Sequence, residues 1–88
     1  MNLDELRAQL DQIDKVLEEY FVKRMEISAQ IADYKEANGL PTTDPAREKV
    51  VLEKHGGSVD PLYREYTMDY FSQLIRLSKE YQNTRRSK

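Results

Sequence analysis

Arg24 stands out of pattern. It occupies one position of a seam formed by Leu3, Leu6, Leu10, Ile13, Leu17, Tyr20, Ile27, Ile31 and Tyr34, whose steps alternate between three and four. A buried and unpaired guanidinium is costly, so something anionic has to neutralise it. Lys35 lies eleven residues further on, about three helical turns, and returns to nearly the same face. Two long cations over one seam invite an anion. Arg7 lies seventeen residues before Arg24, about 25 Å along a helix axis, so one small ligand cannot touch both within one chain. If two copies pack antiparallel through this helix, Arg7 of one approaches Arg24 of the other, and a shared site forms at each end. Further along, Asp44 and Glu48 form an i,i+4 pair with Arg47 between them, and Ser78 and Gln82 form another that continues a stripe from Phe71 and Ile75. Each feature has a plainer reading on its own. Arg24 would pair with Glu19 or Glu26 or set a coiled-coil register, Arg7 with Asp4 or Asp11. Lys35 would be a solvated cation favoured by the helix dipole. Asp44 and Glu48 would be a cap and a solvated charge, and Ser78 and Gln82 an exposed helix end.

Composition removes several competing chemistries. With no Cys and one His, His55, thiolate metal sites, disulfides and a His-based triad are all disfavoured. Fourteen basic against sixteen acidic residues leave a net charge of −2, which makes no electrostatic case for nucleic acid. Neither a spanning apolar run nor a secretory signal is visible, so the cytoplasm is the expected compartment. Eighty-eight residues, 39% hydrophobic and 34% charged, suit one domain over 1–88, and only three Gly and three Pro argue for an all-α fold.

The elements that must position these side chains follow from the punctuation. The seam predicts a first helix over 3–37, stopped by Asn38-Gly39-Leu40-Pro41. Such a helix is about 50 Å long, and the rest of the chain is too short to cover it, which implies a partner chain. Asp44 as cap and Pro45 in the first turn predict a second helix over about 44–55, ended by a left-handed residue at Gly56-Gly57, with His55 solvated in its last turn. A third helix over 59–83 carries a broad, Tyr-rich apolar face. Thr84 to Lys88 read as a frayed end.

Taken together, the chain from about residue 3 to 83 resembles the all-α (AroQ-type) chorismate mutases. The resemblance rests on Leu6-Arg7, Asp11 to Asp14, Arg24, Ile31-Ala32-Asp33-Tyr34-Lys35, Asp44-Pro45-Ala46-Arg47-Glu48, and the spaced set Phe71, Leu74-Ile75, Ser78 and Gln82. It implies an intertwined homodimer of three-helix chains, one helix long, one short and one medium, converting chorismate to prephenate in phenylalanine and tyrosine biosynthesis. It further implies that Arg24 and the partner's Arg7 hold the two substrate carboxylates, that Ser78 helps to place the substrate, and that Lys35 and Gln82 donate to the ether oxygen of the breaking bond. Glu48, with the backbone near Asp44, would bind the ring hydroxyl, and Arg47 would complete the polar wall.

That reaction suits these residue types. An intramolecular [3,3] rearrangement calls for no nucleophile, metal or cofactor. It calls for a flexible dianion held in a compact geometry and for stabilisation of charge growing on the ether oxygen. Arginine's planar fork suits carboxylates, and a neutral Gln at position 82 donates without needing acid pH. Two other readings compete. One is an isochorismate-pyruvate lyase of the same fold, against which Glu48 and the Asp44-x-x-Arg47 arrangement speak. The other is a non-catalytic helical dimerisation module, which leaves the coincidence of Arg24, Lys35, Arg47 and Gln82 unexplained.

Overall fold

The computed structural model describes residues 1–87, which form three α-helices and one short 3-10 turn and contain no strand. The first helix, α1, runs Leu3–Ala37. It opens on a reciprocal cap, in which Asn2 Oδ1 accepts from the Glu5 amide at 2.9 Å while Glu5 Oε2 accepts from the Asn2 amide at 3.3 Å. It closes where Asn38 donates its side-chain amide to the Tyr34 carbonyl at 2.8 Å and Gly39 takes the left-handed conformation at φ 63°.

Helix α2 spans Pro45–Gly57, with Pro45 in the first turn and Asp44 Oδ1 accepting from the Arg47 amide at 3.1 Å. The helix ends at the glycine pair as expected, but it takes both glycines in as its last residues and neither has the expected positive φ. The physical reason is packing. A Cβ on Gly56 would lie 2.7 Å from Met68 Cγ and 2.9 Å from its Sδ, so the missing side chain lets α2 approach the following helix closely. His55 is likewise not a solvated residue. It is half-buried and stacks on Phe71, with ring centroids 4.0 Å apart and planes within 3°.

A 3-10 turn at Pro61–Tyr63, capped by Asp60, leads into α3, Arg64–Arg86. The third helix therefore starts later than the pattern predicts and continues past residue 83. The expected frayed end is also corrected. Arg85 forms a two-point ion pair with Asp33 at 2.7 and 2.8 Å, and Arg86 reaches Glu36, the Thr42 hydroxyl and the Leu40 carbonyl. These contacts fasten the end of α3 to the end of α1. Lys88, also part of that expectation, lies outside the described residues.

Helix α3 packs on the C-terminal half of α1 and on α2, around Ala32 and Leu74. The N-terminal half of α1 has no such cover: every residue from 1 to 20 is exposed, including Leu6, Leu10, Ile13 and Leu17. The molecule measures 54 × 27 × 14 Å, with a radius of gyration of 16.1 Å where a compact chain of this length would have about 12 Å. Its accessible surface is 7052 Å², against about 5,400 Å² for a compact monomer of this mass.

Candidate active site

A cavity of about 410 Å³ opens where the C-terminal half of α1, the start of α2 and the second half of α3 meet. Helix α1 contributes Arg24, Ser28 and Lys35 to its lining, α2 contributes Arg47 and Glu48 just after the Asp44 cap, and α3 contributes Ser78, Lys79 and Gln82. Ile27, Ile31, Val51 and Ile75 supply the apolar part of the wall. The seam explains the arrangement: Arg24, Ser28, Ile31 and Lys35 recur at three and four, so one face of α1 turns both cations toward α3.

Seven of the eight residues selected from sequence line this cavity: Arg24, Lys35, Asp44, Arg47, Glu48, Ser78 and Gln82. Arg7 does not. It is exposed on the uncovered half of α1. The expected ion pairs of these cations do not form: among the described residues neither Arg24 nor Arg7 makes a salt bridge. Lys35 is half-buried and donates to the Thr42 carbonyl at 2.7 Å, which anchors its ammonium and leaves two further donors. Ser78 and Gln82 are not an exposed helix end either: Gln82 is 5% exposed.

Two residues of the site had no signal of their own in the sequence. Ser28 is buried, and its hydroxyl lies 2.7 Å from that of Ser78, which also accepts from Gln82 Nε2 at 3.0 Å. The chain of three polar groups ends on Gln82 Oε1, which is buried without a partner. A buried amide oxygen left unpaired is uncommon and costs about 1–3 kcal/mol, so this corner of the cavity suits a polar occupant. Lys79 meets both oxygens of Glu48, at 3.2 and 3.3 Å, across the gap between α2 and α3. On sequence grounds Lys79 is one more charged residue on an amphipathic helix.

Electrostatically the lining holds four cations, Arg24, Lys35, Arg47 and Lys79, against the carboxylates of Asp44 and Glu48. The surplus is positive and the apolar wall lowers the local dielectric, so a small anion with an apolar body matches both features. The Lys35 ammonium and the Gln82 amide both border that wall. Donors of this kind can stabilise negative charge as it develops on a bound oxygen.

Comparison with known proteins shows the family. The family model described as chorismate mutase type II matches residues 6–83. The T-protein of Haemophilus influenzae is 37% identical over 51 residues, which are 58% of this chain and 14% of that protein. The chorismate mutase of Methanocaldococcus jannaschii is 28% identical over 67 residues, 76% of this chain and 64% of that one. The 4-amino-4-deoxychorismate mutase of Streptomyces venezuelae is 35% identical over 52 residues, 59% of this chain and 50% of that one. In each case the matched stretch is less than two thirds of the relative's own length, and in the T-protein it is about one seventh. No solved structure matches significantly. A family match over residues 6–83, together with an all-helical fold, means that this chain belongs to the chorismate mutase type II family.

Proposed function

We propose that the protein rearranges chorismate to prephenate, and that it does so as a homodimer with two shared sites. One observation carries the reading: seven residues chosen for the chemistry, from three separate helices, line a single cavity of suitable size and positive surplus.

In this reading Arg24 holds one substrate carboxylate and Arg7 of the partner subunit the other, each through a charge-assisted fork. The hydroxyl of Ser78, already fixed by Ser28 and Gln82, positions the bound dianion. Lys35 and Gln82 donate to the ether oxygen. Lys35 brings a full charge held in place by the Thr42 carbonyl, and Gln82 brings a neutral donor that is buried and therefore preorganised. Glu48, with the backbone near Asp44, accepts from the ring hydroxyl, and Arg47 closes the polar wall. Catalysis then consists of holding the reactive conformer and favouring the charge distribution of the transition state.

The dimer is supported by the uncovered seam. The surface excess of about 1,600 Å² per chain would give an interface in the range of obligate dimers. A full leucine and isoleucine seam facing water on half of a 35-residue helix is otherwise hard to reconcile with a stable fold.

The test is the loss of chorismate absorbance with purified protein, with the product identified. Prephenate as product supports the proposal. Pyruvate released from isochorismate, with chorismate untouched, would replace the mutase with a lyase. Turnover of neither would leave a helical dimerisation module as the better account.

A further inference from the structure

We infer that Lys79 sets the choice between a hydroxyl and an amino group on the substrate ring, by occupying the carboxylate that meets that group. The inference rests on the mutase reading above and deepens it.

Among the described residues, the pair it concerns is the one salt bridge whose two partners both line the cavity. Lys49 with Glu53 and Arg76 with Glu80 are i,i+4 pairs on single helices, with side chains more than half exposed. Such pairs contribute little. Lys79 and Glu48 instead join two helices inside the cavity, with side chains 31% and 28% exposed. The ammonium sits astride the carboxylate, 3.3 Å from one oxygen and 3.2 Å from the other.

This arrangement has a consequence for what Glu48 can recognise. A carboxylate offers about four acceptor positions, and Lys79 takes one on each oxygen. The remaining positions can accept from a neutral hydroxyl at no electrostatic cost. A ring ammonium is a different matter. Reaching the same carboxylate brings it within a few ångströms of the Lys79 ammonium, and like charges so close in a partly desolvated cavity repel strongly. The name of the Streptomyces relative describes such a compound, with an amino group where chorismate carries its hydroxyl. Lys79 therefore acts as a positioning residue for Glu48 and as a repulsive element against the cationic analogue. Removing its charge frees Glu48 to pair with a ring ammonium.

The experiment compares kcat/KM for chorismate and for 4-amino-4-deoxychorismate in the wild type and in Lys79→Met, Lys79→Gln and Lys79→Arg. The wild type should favour chorismate. Both neutral variants should move the ratio toward the amino compound by at least about 10-fold, and Lys79→Arg should hold it within about 3-fold of wild type. A structural role alone would lower both substrates together and leave the ratio in place. The two neutral side chains differ in shape and polarity, so poor folding of one leaves the other to decide. An unchanged ratio in a folded neutral variant, with the wild type active on chorismate, overturns the role of Lys79 and leaves the mutase reading standing. A wild type inactive on both compounds overturns the mutase reading itself, and this inference with it.

Discussion

The two halves of α1 share one seam but differ in what packs beside it. From Arg24 to Ala37 helix α3 packs beside the seam, burying Ser28 and Ala32 while Ile27, Ile31 and Tyr34 stay exposed, and Arg24 and Lys35 line a cavity. From Leu3 to Tyr20 the same spacing of Leu and Ile faces water, although its apolar content is no lower. Hydrophobic periodicity thus marks the face of the helix, and the packing of α3 marks the half of it that borders the cavity. The covered half borders a cavity lined by seven of the eight selected residues. The bare half carries Arg7, the one selected residue that the chain cannot bring to its own cavity.

The largest effect should come from breaking the bare half. Ile13→Asp places a charge in the middle of the uncovered seam without touching the cavity, which it does not line. Sedimentation should show loss of the dimer and activity should fall to background, because a carboxylate in an apolar interface is far costlier than the contact it replaces. A folded, active monomer would mean that the exposed seam is not an interface.

A smaller effect sharpens the role of the covered half. With Gln82→Glu, only the protonated acid can donate to the ether oxygen, so the optimum should move to lower pH, with activity at pH 8 falling by about 100-fold. An unchanged pH profile would remove Gln82 from the chemistry.

Packing in the covered half can be read at two neighbouring glycines. Gly57 has nothing within 4 Å of an added Cβ, so Gly57→Ala should raise thermal stability by a few tenths of a kcal/mol through helix propensity. Gly56→Ala gains the same propensity but pushes its Cβ into Met68, and should lower stability by about 1 kcal/mol. Thermal melts of the two variants moving in the same direction would contradict the close approach of α2 and α3.

The smallest effect concerns the clasp between helix ends. The two-point bond from Arg85 holds the Asp33 carboxyl below its ordinary value of 3.8. A depressed carboxylate stabilises the fold at pH values above that ordinary value, and the contribution fades as pH falls through the lowered one. The pair is exposed, so the gain is slight. Acid titrations of wild type and Asp33→Asn should differ slightly at neutral pH and converge below about pH 4. A gap that widens in acid would show that the pair does not work this way.

Much of this was legible in the sequence, for identifiable reasons. The bounds of α1 follow from an unbroken seam and an Asn-Gly stop, and Arg24 and Lys35 were visible because cations on an apolar seam are expensive. Lys79 was not, since a lysine on an amphipathic helix is ordinary until Glu48, thirty-one residues away, is found against it. Arg85 and Arg86 looked like a loose tail for the same reason: their partners lie about fifty residues back in the chain. The glycine pair misled because glycine serves both as a helix stop and as a point of close approach, and only Met68 distinguishes the two.

The central claim is that the bare half of one chain completes the site of another, and mixing two inactive variants tests it most directly. Arg7→Ala and Arg24→Ala homodimers should each lose a charge-assisted contact of about 2–4 kcal/mol, or about 30- to 1000-fold in rate. After subunit exchange at equal amounts, half of the dimers are mixed, and each mixed dimer has one site with both arginines and one with neither. Activity should then recover to roughly a quarter of wild type. No recovery after exchange has been verified would mean that Arg7 and Arg24 serve one site from one chain, and the shared-site account would be wrong.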